Sequence, residues 1–112
     1  MISPTLNATT TPIKAYDELL QKFSNDTDTT IKQKVARAMR NKGVALSSLE
    51  RYDDAIKAYD ALLQKFSNET DTEIKQQVAE AMNNKGVALA KLKREEDVIK
   101  AFFLGRSFAL IS

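Results

Sequence analysis

The sequence predicts an all-α fold: a short solenoid of antiparallel helix hairpins with about five helices. Three observations predict it. Residues 13–55 and 56–98 are two copies of one 43-residue segment, joined without a gap and identical at 31 positions. Apolar residues within each copy recur at three- and four-residue steps, the spacing of one helix face. The polar segments between these runs are short, so consecutive helices turn back on one another. A period of this size marks a stacked array in which each unit buries its apolar face only against its neighbours.

The elements follow in order. Residues 1–11 are Thr-, Ser- and Asn-rich and read as a flexible leader, leaving 12–112 as the repeat domain. Pro12 suits the first turn of a helix, where its missing N–H costs nothing. Ile13, Tyr16, Leu19, Leu20 and Phe23 then line one face of a short helix, and Ile56, Tyr59, Leu62, Leu63 and Phe66 repeat it. SNDTDT (24–29) and SNETDT (67–72) are rich in residues that turn and cap. Thr70 to Glu73 has the S/T-x-x-E form of a capping box. Long helices follow over about 29–49 and 72–92, each roughly 30 Å long at 1.5 Å per residue. SLERYDD and KLKREED provide the return turns, and a degenerate third copy opens at Ile99 as the fifth helix.

Composition excludes several classes of function. There is no Cys and no His, so thiol nucleophiles, disulfides, imidazole catalysis and the usual zinc sites are out. Net charge is +2, far from the dense basic footprint of nucleic-acid binding. No phosphate-binding glycine loop and no EF-hand spacing of oxygen ligands occurs. No signal-peptide pattern opens the chain, and no apolar run approaches the ~20 residues of a membrane span. The expectation is a non-catalytic cytoplasmic protein with no cofactor and no metal, binding neither nucleic acid nor membrane.

The segment 41–63, NKGVALSSLERYDDAIKAYDALL, resembles a tetratricopeptide repeat. Gly43 and Gly86 match the small residue that lets the paired helix approach, Ala45 and Ala88 the small residues beside it. Tyr52, Ala55 and Tyr59 match the family's aromatic–Ala–aromatic series in the second helix. The second copy departs, with Glu95 for Tyr52 and Val98 for Ala55. Met39 and Met82 stand where the family has Trp, its terminal Pro is absent, and the period is 43 rather than 34 residues. The resemblance implies a right-handed superhelix whose concave groove holds a peptide or partner protein, and it implies that Gly43 and Gly86 each meet a neighbouring helix.

The resemblance implies that this groove is lined by the arc of the long helix on which the two copies differ. They differ at Thr30/Glu73, Lys34/Gln77, Arg37/Glu80, Arg40/Asn83, Ser47/Ala90 and Ser48/Lys91, positions within an arc of roughly 140° at 100° per residue. Solvent-exposed positions drift, which alone accounts for the variation. It does not account for Asn41 and Val44, or Asn84 and Val87, which lie in the same arc and repeat unchanged. An Asn amide both donates and accepts, as a peptide backbone requires. The expected groove comprises Arg37, Arg40, Asn41, Val44, Ser48, Asn83, Asn84, Val87 and Lys91, with Arg37 and Arg40 as anion partners. Some chaperone-binding members of the family grip a C-terminal carboxylate with basic residues and Asn. Arg37, Arg40, Asn41 and Asn84 stand at similar places, but Val44 and Val87 interrupt that clamp and Glu80 opposes an anion.

The ends carry a second expectation. Phe102, Phe103, Phe108, Leu110 and Ile111 are many apolar side chains for the edge of a two-unit array. They point to self-association, with a two-fold homodimer as the simplest closed form, joined by the C-terminal helices or by each chain covering the other's helix at 12–23. The alternative is that the last segment folds back and hides them within its own chain. A chain that is part of a longer array would explain the same surface.

Overall fold

The computed structural model describes the backbone of residues 4–111 and the side chains of 12–104. It holds four α-helices: α1 (Pro4–Phe23), α2 (Thr29–Ser48), α3 (Tyr52–Phe66) and α4 (Thr72–Ile111). Each packs on the next, and α2 also packs on α4, so the helices form a two-layer array with α1 and α3 on one side and α2 and α4 on the other. No strand occurs among the described residues.

The buried core runs along the α2–α3–α4 joint. Val35, Ala36, Met39 and Leu46 come from α2, Ala55, Tyr59, Leu62 and Phe66 from α3, and Ile74 and Ala81 from α4. Gly43 sets the closeness of α2 and α3. A Cβ at that position would lie 2.7 Å from Cδ1 of the Tyr59 ring, inside van der Waals contact. Gly86 corrects the matching expectation, since nothing stands within 4 Å of its Cβ direction. The ring that would cover it does not lie there, because α4 never turns back.

That continuity also leaves four helices among the described residues, where about five were expected. α2 ends because the chain recaptures its last carbonyls: the Arg51 N–H bonds Leu46 O at 2.9 Å and the Glu50 N–H bonds Ser47 O at 2.9 Å. Glu50 takes the left-handed conformation at φ 59°. Tyr52 then enters the core, and Asp53 and Asp54 sit favourably in the first turn of α3. In the second copy Lys91 and Lys93 replace Ser48 and Glu50, and both favour helix. Glu95 replaces the inserted Tyr52, and a carboxylate has no place in that apolar seat. Lys93 instead pairs with Asp97 at 3.2 Å, one helical turn on, across the expected bend.

Two entries into helices also differ from expectation. α1 begins at Pro4, so the expected leader is helical from there and Pro12 lies inside the helix. α4 is capped by Asp71, whose Oδ1 accepts the Ile74 N–H at 3.0 Å, and not by Thr70. Asp28 caps α2 in the same way through Ile31 at 3.1 Å.

Candidate functional site

The variable faces of α2 and α4 lie side by side and form an open groove. Its first hollow, about 450 Å³, is lined by Arg40, Asn41, Val44, Ala79, Glu80, Asn83 and Asn84. A second, about 200 Å³, is lined by Val44, Ser47, Ser48, Tyr59, Asn84, Val87 and Lys91. Val44 and Asn84 line both, so the two hollows adjoin and together follow the α2–α4 joint as a trough. Eight of the nine expected groove residues line it; Arg37 lies outside both hollows.

Side-chain positions follow from the repeat. Asn41 and Val44 lie three residues apart on α2, and Asn84 and Val87 repeat them on α4. Val44 is 42% exposed and Val87 48%, so neither is spent on the core. Ser48 returns its hydroxyl to the Val44 carbonyl at 3.1 Å. The Lys91 ammonium rests 5.9 Å from the centre of the Tyr52 ring, at one end of the trough. Beneath it, burial pushes the Tyr59 phenol above its usual pKa.

The basic end differs from the sequence expectation. Arg37 pairs with Glu73, and Arg40 with Glu80. Both guanidinium groups therefore already hold carboxylates from α4, and Arg40 also donates to Asn41 Oδ1 at 3.0 Å. Arg40 in turn holds the Glu80 carboxyl below its usual pKa. These pairs tie α2 to α4. At their partial exposure solvent screens both pairs, so each adds little to stability. Glu73 and Glu80 were missed as members of the site, although the sequence marked them. They are the second copy's substitutions for Thr30 and Arg37, and they bring carboxylates to arginines of the copy before.

Further contacts fix the trough's geometry. Gln33 Nε2 donates to both Asp71 carboxylate oxygens at 3.1 Å, joining the start of α4 to α2. Lys42 pairs with Asp17 at 2.6 Å, and a repeat later Lys85 pairs with Asp60 at 2.6 Å. No group of three or more acidic, His or Cys side chains is placed to hold a metal among the described residues. Among the same residues no helix is long and apolar enough to cross a membrane.

A two-layer array of repeated helix pairs with an open trough on one layer defines a class of helical-repeat protein. The tetratricopeptide repeat family profile matches residues 13–70 and again 50–105. The chain belongs to the tetratricopeptide repeat family, whose repeats generally act as non-catalytic scaffolds for protein–protein interaction. No curated protein and no solved structure matches the chain.

Proposed function

We propose that the chain is an interaction scaffold that holds an extended segment of a partner protein in the α2–α4 trough. The observation that carries this reading is the repeated, solvent-facing Asn41–Val44 and Asn84–Val87 pair along the trough. The two amides suit a peptide backbone, and the two valines suit apolar side chains along it. With Arg37 and Arg40 already paired, an acidic ligand must displace Glu73 or Glu80. The trough therefore favours apolar, weakly charged segments, with a single carboxylate accommodated at Lys91. A peptide array probed with the whole chain tests this. Bound peptides should lose affinity at least tenfold on Asn84→Ala and on Val87→Glu. Peptides captured equally by wild type and both variants would refute the trough.

A second reading is self-association as a structural role, the first of the two expected forms of the two-fold dimer being the one joined by the C-terminal part of α4. Ile99, Phe102, Phe103 and Leu104 are each more than half exposed there. Phe108, Leu110 and Ile111 of the same expectation lie outside the side chains described. The loss of light-scattering mass on Phe103→Glu is its test.

A further inference from the structure

The repeat leaves the array with two open faces that are the two halves of one contact already made inside the chain. In that contact α3 lies on α2, the Tyr59 ring over Gly43, with Met39 and Leu46 buried about one turn to either side. α4 carries the same trio as Met82, Gly86 and Leu89. There Met82 is 60% exposed against 9% for Met39, and Leu89 is 46% exposed against 4% for Leu46. The space over Gly86 is open.

At the other end of the array α1 is a second α3. Residues 13–23 differ from 56–66 only in Glu18 for Ala61. Tyr16, Leu19 and Phe23 are half-buried, whereas Tyr59, Leu62 and Phe66 are buried. Beside them an apolar hollow of about 200 Å³ opens between α1 and α2, lined by Leu19, Phe23, Ile31, Lys34 and Val35.

We propose that α1 of one copy docks on α4 of the next, Tyr16 over Gly86, so that the array continues head to tail between chains. Two polar contacts of the internal joint carry over in the same register, whereas Arg37–Glu73 and Arg40–Glu80 do not, becoming Glu80 beside Thr30 and Asn83 beside Arg37 of the next copy. Lys32 pairs with Glu69, and Gln33 donates to Asp71. One repeat along, these become Lys75 with Asp26 of the next copy, and Gln76 with its Asp28, so that each acceptor remains a carboxylate. Gln76 leaves its 3.3 Å contact with Glu80 to do so. The same register sets the start of α1 beside α4 beyond Leu89, where both helices run on without a turn. Two helices from separate chains need no hairpin, which distinguishes this joint from α2 and α3. A contact that copies the step between repeats is heterologous, so growth is open-ended and does not stop at two copies.

This inference deepens the self-association reading with different elements and is independent of the trough. Its test is sedimentation velocity on the full chain from 5 to 200 µM, with thermal melts at the lowest concentration as the check on folding. The wild-type mass should rise past the dimer with concentration. Gly86→Leu, which fills the seat, and Tyr16→Lys, which removes the plug, should each hold the chain monomeric. Mixed, they should give a 1:1 pair and nothing larger, since each retains the half the other lacks. A wild type that stays monomeric at 200 µM overturns both modes of assembly. A dimer untouched by Gly86→Leu but lost on Phe103→Glu overturns this joint in favour of the C-terminal one.

Discussion

Gly43 and Gly86 occupy the same position in two nearly identical helices, yet only Gly43 carries a ring. Replacing Gly43 by Leu should overpack the Tyr59 contact and cost about 1–3 kcal/mol. Gly86→Leu should leave the stability of the dilute chain unchanged or raise it by under about 1 kcal/mol, since Leu favours helix over Gly. Urea unfolding of the two variants at low concentration checks the contrast, and equal losses would mean that Gly86 is covered. Asp71 joins capping to packing. Hydrogen bonds from the Ile74 N–H and the Gln33 amide hold its carboxyl below the usual pKa. A group whose pKa is depressed on folding stabilises the fold above its unfolded value and loses that contribution as pH falls through the folded value. Stability should therefore decline on the acid side below the ordinary Asp range, and Asp71→Ala should flatten part of that decline. At neutral pH the same variant should cost about 0.5–2 kcal/mol through the lost cap. Urea midpoints from pH 7 down to pH 2 measure both effects.

At the scale of elements, periodicity made α2 and α3 legible, because all their apolar positions but Tyr52 recur as apolar residues one repeat away. It located the front of α4 equally well. The end of α4 was not legible, because the third copy keeps Ile99 and an aromatic at Phe102 and so reads as another returning helix. What differs is the hinge, where Lys91, Lys93, Glu95 and Val98 remove the turn, the inserted aromatic and the small crossing residue. Local helix propensity decides the outcome there because Glu95 cannot take the buried position that Tyr52 fills in the first copy. Spin labels at Lys85 and Phe103 should lie about 27 Å apart along a straight helix, before label length is counted. Restoring the first copy's hinge with Lys91→Ser, Lys93→Glu, Glu95→Tyr and Val98→Ala should shorten that distance by roughly half. An equally short distance in the wild type would contradict the continuous helix. The start of α1 was illegible for a related reason, since its polar residues 4–11 carry no apolar period.

Across the whole molecule, the trough was legible as a set of positions but not as a charge pattern. The two copies compared with themselves revealed the arc containing Asn41, Val44, Asn84 and Val87. Reading Arg37 and Arg40 as ligand partners overlooked that α4 brings Glu73 and Glu80 to them. Neighbouring repeats thus spend part of their variation on recognising each other, and what remains for a partner is amide and apolar. Peptide binding in the proposed trough should therefore depend weakly on salt, since the exposed ion pairs stay within the array. Raising salt from 0.05 to 0.5 M should change peptide affinity less than about threefold, whereas an acidic ligand seated on the arginines would weaken far more. The most direct measurement is methyl and amide NMR of the chain titrated with a peptide selected from the array. The Val44 and Val87 methyls and the Asn41 and Asn84 side-chain amides should shift together, with one saturation curve. Shifts confined to α1 or to the far side of α3, with those four groups unmoved, would contradict binding in the trough.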